Sequence, residues 1–66
     1  MKINDEKLML ALANEGLLLN QLAKKAGIST EALRLIRYGK CVPKPATVGK
    51  IAKALNVPVT AIIDEG

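Results

Sequence analysis

The stretch LAKKAGISTEALRLIRYGK, residues 22–40, determines the fold that this sequence predicts. Gly27 suits the positive φ with which a chain leaves a helix, and the alanine four positions earlier is small enough for two helices to approach closely. Ile28 can fill the corner between the helices, while Leu33 and Ile36 are spaced to pack the second helix against the first. Helices that cross at about 90–120° through a short turn need this set of positions. We therefore predict a helix-turn-helix whose second helix has a free outer side.

Residues that favour helix ends divide the rest of the chain. Asn4 can cap a first helix and Ser29 a third. Pro45 suits the first position of a fourth helix, and Asn56 can adopt the left-handed conformation that ends it. β-Branched residues are sparse before the last ten residues, so the main alternative to a helix there is a short edge strand near Val57. The predicted fold is all-α, a compact domain of five helices at about 5–15, 19–26, 30–38, 45–55 and 58–63.

Length and composition limit what the chain can do. Its 66 residues allow one domain, residues 1–66, which would bury only about 60% of the surface of the unfolded chain. One cysteine and no histidine exclude an internal disulfide, a zinc site and a histidine base. We therefore expect no enzyme activity, no cofactor, no metal and no small-molecule substrate. With neither a membrane span nor a signal peptide in the pattern, and with Cys41 interpreted as an inert thiol, we expect a cytoplasmic protein.

Positive charge is concentrated in the middle of the chain. Residues 20–53 contain eight lysines and arginines and one glutamate, a net charge of +7, whereas the two ends contain two lysines and five acidic residues, a net charge of −3. A basic region of this kind favours a polyanionic partner, most commonly nucleic acid. The alternative from charge alone is a solvated lysine surface.

Residues 17–63, LLLNQLAKKAGISTEALRLIRYGKCVPKPATVGKIAKALNVPVTAII, resemble the lambda-repressor-like domain of the Cro and Xre group of helix-turn-helix regulators. The resemblance rests on LAKKAGIS across the turn, YGK and a proline after the third helix, and KIAKALNV in the fourth. It implies a compact five-helix domain that binds duplex DNA, usually as a dimer on a two-fold-symmetric site.

The sequence departs from the family pattern at two places. The family usually has Ser or Thr capping its second helix, followed by a glutamine that contacts a DNA phosphate, but Leu18 and Leu19 occupy these positions. Many members bury an arginine of helix one against a glutamate near the end of helix three, where this chain has Leu12 and Arg37. We expect Leu12 to be buried, and Arg37, with no carboxylate assigned to it, to reach water or DNA.

Base contacts are expected on the outer side of the third helix. At about 100° per residue, Glu31, Arg34, Leu35 and Tyr38 lie farthest from the apolar side, and Thr30 is in the first turn. Arg34 can donate two hydrogen bonds to guanine, Glu31 can accept one from cytosine, and Leu35 can contact only a thymine methyl. We assign base readout to Thr30, Glu31, Arg34 and Leu35. The alternatives are a helix-dipole role for Glu31, a solvated Arg34, and a surface or protein-contact role for Leu35.

Phosphate contacts are assigned to Ser29, Tyr38, Lys40 and Lys44, near the two ends of the third helix. The resemblance implies that the loop after this helix and the start of helix four follow the phosphate backbone. Each neutralised phosphate adds about 0.9 to the salt dependence of binding. Only one of Lys24 and Lys25 is expected to face DNA. Lys50 and Lys53 are expected to form a solubility surface.

These features predict a sequence-specific, double-stranded-DNA-binding transcriptional regulator, expected to be a repressor of prokaryotic or phage background, that reads the major groove with helix 30–38. The alternative is a protein-interaction module or an antitoxin-like protein that binds a partner through the same fold. This alternative is supported by three apolar residues on the side where the family binds DNA, the apolar trio Leu18, Leu19 and Leu35. Exposed apolar patches often mark protein contacts.

A homodimer is also predicted, because a two-fold-symmetric DNA site needs two recognition helices about 34–36 Å apart. The resemblance implies that the last helix and its neighbourhood form the interface, which would comprise Val59, Ile62 and Ile63. The alternative is that Ile62 and Ile63 complete the core of the monomer and that dimers form only on DNA.

Overall fold

The computed structural model describes residues 1–64, which form four α-helices and one 3-10 helix. In chain order these are α1 Asp5–Glu15, α2 Leu19–Ala26, α3 Thr30–Arg37, α4 Pro45–Ala54 and the 3-10 helix Val59–Ala61. No strand forms within residues 1–64, where the only β pairing is an isolated antiparallel bridge between Ile3 and Ile63. The predicted all-α class and the first four helices are confirmed. None of the four helices is long and apolar enough to cross a membrane.

The predicted fifth helix, 58–63, is present only as the three residues of the 3-10 helix. The amides of Ala61 and Ile62 donate to the carbonyls three residues before them. The helix does not extend to residue 63, because Ile63 pairs with Ile3. The alternative, a short edge strand near Val57, does not form within residues 1–64, where the β pairing is confined to the bridge at Ile63.

Capping residues act at the helix ends where the sequence predicts them. The Asn4 side chain accepts a hydrogen bond from the Lys7 amide at 3.0 Å, and the Ser29 hydroxyl accepts one from the Ala32 amide at 3.1 Å. Gly27 has φ of +74° between α2 and α3, the left-handed conformation that glycine adopts without strain. The turn between these two helices is therefore specified by Gly27 and Ser29.

The core is aliphatic, and α2 lies at its centre, packed against both α3 and α4. Leu22 of α2, Leu33 of α3 and Ile51 of α4 are completely buried. Aliphatic burial alone must hold this domain together, since the sequence excludes a disulfide and has one aromatic residue. The other buried apolar side chains are Ile3, Leu8, Ala11, Leu12, Ala23, Ala26, Ile36, Val48, Ala52, Leu55 and Ile62.

The two ends of the described chain pair with each other. The Asn4 amide donates to the Ile62 carbonyl at 2.9 Å, and the Asp64 amide donates to the Lys2 carbonyl at 3.0 Å. The side chain of Ile62 enters the core and is 0% exposed. Ile62 therefore has no surface to offer a partner, which corrects its assignment to the dimer interface. Val59 and Ile63 are half-buried and retain some exposed surface.

Candidate nucleic-acid interface

Helix α3 has one buried and one exposed side. Leu33 and Ile36 pack into the core, while Glu31, Arg34 and Leu35 are exposed. Thr30, in the first turn, is half-buried. The structure thus brings the four residues assigned to base readout onto one helix, with three of them on its outer side.

Glu31 and Arg34 lie one turn apart on this outer side. The Arg34 Nη1 and Glu31 Oε2 atoms are 4.0 Å apart, and the side chains are 56% and 73% exposed. Water screens such a surface pair, which contributes about 0–1 kcal/mol to stability. Either side chain can therefore leave the other for a base edge at little cost.

The loop after α3 folds back onto the end of that helix. Helix α3 ends at Arg37, and Tyr38 is its C-cap rather than its last residue, one position earlier than predicted. The amides of Lys40 and Cys41 both donate to the Leu35 carbonyl, at 2.9 and 3.2 Å. The loop backbone is held in this way, and the Tyr38 and Lys40 side chains on it are exposed.

Two further predicted phosphate contacts are at helix N-termini. The Ser29 hydroxyl accepts from the Ala32 amide, so its own hydrogen remains free to be donated to a phosphate oxygen. Lys44 is the N-cap of α4 and is exposed. Both positions therefore combine a polar side chain with the positive end of a helix dipole, where anions bind favourably.

Arg37 does not reach water or DNA freely, which corrects the sequence-based expectation. Its Nε and Nη2 atoms donate to the two carboxylate oxygens of Asp5, at 2.9 and 3.4 Å. These hydrogen bonds raise the pKa of the Arg37 guanidinium above its ordinary value, so the group stays charged. The guanidinium carbon also lies 5.3 Å from the centre of the Tyr38 ring.

Asp5 is the residue that sequence reasoning missed. It lies 32 positions before Arg37 and also fits a role at the positive end of α1, which explained it without a partner. An ion pair therefore joins α1 to α3 in this chain, but its α1 member is Asp5 and not the residue at the family's arginine position. Leu12, at the family's arginine position, is 5% exposed, as predicted.

The apolar trio is smaller than the sequence suggested. Leu18 and Leu35 are exposed, but Leu19 is half-buried and packs against the core. Val42, in the loop after α3, is exposed and was not predicted. The Leu18 side chain has no acceptor for the backbone amides at the N-terminus of α2. The Gln21 side chain accepts a hydrogen bond from the Leu18 amide at 2.8 Å.

The remaining lysines lie on α2 and α4. Lys24 and Lys25 are both exposed, so their burial does not distinguish which faces DNA. Lys25, Lys50 and Lys53 line a shallow cleft between the C-terminal ends of α2 and α4. Lysines at these ends complement the negative pole of each helix dipole, which agrees with the surface role expected for Lys50 and Lys53.

Comparison with known proteins agrees with this geometry. Residues 8–62 match the helix-turn-helix family model. Over 48 residues the chain is 44% identical to the HTH-type transcriptional repressor RghR of Bacillus subtilis (strain 168), a match that covers 71% of this chain and 36% of the relative. The chain thus spans little more than a third of that repressor's length. The chain belongs to the helix-turn-helix family, as its sequence predicted.

Proposed function

We propose that this member of the helix-turn-helix family is a sequence-specific DNA-binding transcriptional regulator that acts as a repressor. The proposal rests on the side chains that are exposed on the outer side of α3. There Arg34 and Glu31 are exposed, while the next stretch of chain presents Tyr38 and Lys40. Side chains that read bases would lie in the major groove, and the cationic ones beside them would meet phosphates.

The repressor role is supported by the 44% identity over 48 residues to RghR, a transcriptional repressor. A domain bound over a promoter blocks transcription by occupying the site, and this needs no catalytic group. The base contacts would come from Thr30, Glu31, Arg34 and Leu35, and the phosphate contacts from Ser29, Tyr38, Lys40 and Lys44.

Selection from a pool of random duplexes, followed by a titration of the enriched sequence against salt, tests this proposal. Specific binding should exceed binding to shuffled duplexes by about 10³-fold or more at physiological salt. The logarithm of the binding constant should fall linearly with the logarithm of salt concentration, with a slope of about −2 per domain for the two phosphates that Lys40 and Lys44 would neutralise. Failure to enrich any sequence at low salt would contradict the proposal.

A second candidate function is a protein-interaction module, and the exposed Leu18, Leu35 and Val42 favour it. Exposed apolar side chains near the same face would suit a protein partner better than a phosphate backbone. Replacing Leu35 by Gln separates the two candidates. DNA recognition should lose preference only at one thymine, whereas a protein complex that buries Leu35 should weaken at least tenfold.

A further inference from the structure

We propose that Asp5 is a positioning residue for DNA binding, which acts through Arg37 to hold the Tyr38 hydroxyl where a phosphate can accept its hydrogen bond. The inference rests on the proposed function, because it concerns how one of the proposed phosphate contacts is prepared. Asp5 itself lies on α1, outside every group of residues assigned to DNA.

The Asp5 carboxylate is held on a rigid part of the fold. It is the first residue of α1, and the preceding Asn4 is fixed twice. The Asn4 side chain caps α1, and the Asn4 amide donates to the Ile62 carbonyl. A carboxylate mounted in this way offers the guanidinium of Arg37 a fixed pair of acceptors, 2.9 and 3.4 Å away.

Arg37 transmits this fixed geometry to Tyr38. A guanidinium that donates from two nitrogens to one carboxylate cannot rotate freely, and its carbon lies within cation–π distance of the Tyr38 ring, at 5.3 Å. The Tyr38 side chain is 64% exposed, and its hydroxyl makes no hydrogen bond within residues 1–64. Arg37 therefore limits the positions of a side chain that would otherwise be ordered only when DNA binds.

The same N-terminal segment, residues 1–5, contacts both ends of the loop that follows α3. Asp5 holds Arg37 where the loop begins, and the Met1 amino group donates to the Pro43 carbonyl at 3.1 Å where it ends. Lys40 lies between these two points. An effect of Asp5 on Tyr38 is thus part of a wider arrangement in which the start of the chain orients the proposed phosphate-binding loop.

A purely structural role for the ion pair is the competing explanation. The Asp5 side chain is 44% exposed and that of Arg37 is 21% exposed, so water screens the pair and limits its contribution to stability. Glu6 provides a matched control, because it is an exposed carboxylate in the same first turn and has no ion-pair partner within residues 1–64. Asp5→Asn and Glu6→Gln each remove one negative charge from that turn. Only Asp5→Asn also removes the carboxylate that pairs with Arg37.

A double-mutant cycle of DNA affinity tests the inference. Tyr38→Phe removes the hydroxyl, and it should weaken binding of the selected duplex about fivefold in the wild type, the equivalent of one hydrogen bond. In the Asp5→Asn background the same change should cost less than twofold, because the ring is no longer held in place. In the Glu6→Gln background the fivefold effect should persist.

Tyr38 is the only aromatic residue of the chain, so after complete amide exchange into D2O the aromatic region of a proton NMR spectrum reports on this ring alone. Asp5→Asn should shift its resonances in the free protein while Glu6→Gln leaves them unchanged. Equal effects of Tyr38→Phe in the Asp5→Asn and wild-type backgrounds would overturn the inference, as would unchanged ring resonances. Absence of any specific duplex for the wild-type chain would instead overturn the proposed function, and with it any role of Asp5 in DNA binding.

Discussion

Two arginines three positions apart on α3 have different surroundings, and the difference assigns them different roles. Arg34 is exposed, and within residues 1–64 its one ion pair is with the exposed Glu31. Arg37 faces α1 and is held by both oxygens of Asp5. An arginine already bound to a carboxylate must break those hydrogen bonds before it can contact DNA. Arg34 is therefore the arginine of α3 that is free to read a base.

Replacing Arg34 by Ala should lower the affinity for the selected duplex by about 1–3 kcal/mol and relax the preference at one base pair. The matched control is Lys50→Ala, which removes the same charge from an exposed position outside the proposed interface. The control should change affinity only slightly and leave the preferred sequence intact. Both variants are titrated with the selected duplex and with its single-base-pair variants. Equal losses of affinity in Arg34→Ala and Lys50→Ala would exclude Arg34 as a base reader.

Leu12 provides a stability prediction at the same scale. Leu12→Arg should lower the free energy of unfolding by about 3 kcal/mol or more, because a buried charge would have no partner. Leu10→Arg is the control, since Leu10 lies on the exposed side of the same helix. Adding Arg37→Glu, which would restore the family's ion pair, should not recover the loss because a second carboxylate would then face Asp5. Urea denaturation measures all three, and an unchanged midpoint for Leu12→Arg would place Leu12 outside the core.

The sequence predicts some secondary-structure elements of this chain better than others. The starts of α1, α3 and α4 follow from local signals, because Asn4, Ser29 and Pro45 act within one turn of their own positions. The 3-10 helix does not, since its end is set by pairing between Ile3 and Ile63, which are 60 positions apart. The partner of Arg37 was missed for the same reason. Long-range pairing of this kind leaves no periodic signal in the sequence.

The N-terminus of α2 is the element end with the weakest local support, and it yields a third prediction. Leu18 has the extended backbone of an N-cap, with φ of −84° and ψ of 159°, and its side chain has no acceptor. Leu18→Ser should stabilise the domain by about 1 kcal/mol, because the serine hydroxyl can accept a hydrogen bond from an unpaired backbone amide of the first turn. Leu18→Ala is the control for loss of the leucine side chain. Thermal unfolding should rank Ser above Ala, and the reverse order would show that α2 gains nothing from a cap.

At the scale of the whole molecule, hydrogen bonds join the two ends of the described chain. The backbone hydrogen bonds from Asn4 to Ile62 and from Asp64 to Lys2 join them, and Lys7 adds a bond from its Nζ to the Ile63 carbonyl at 3.3 Å. This pairing explains why Ile62 is core while its neighbours are not. Ile62 itself is the C-cap of the 3-10 helix, with φ of −125° and ψ of −2°.

Val59 and Ile63 therefore remain as the proposed dimer contact, and they give the last prediction. Both are half-buried, so a two-fold contact through them would cover apolar surface that a domain of 66 residues otherwise leaves to water. Sedimentation at micromolar concentration should show a species of twice the 7.0 kDa chain mass. Ile63→Asp should shift it to the monomer, because a charge would lie in the contact without a partner. Val42→Asp, at an exposed apolar position in the loop after α3, is the matched control and should stay dimeric. A 7.0 kDa species in the wild type would exclude a dimer of the free protein, and a persistent Ile63→Asp dimer would place the contact elsewhere.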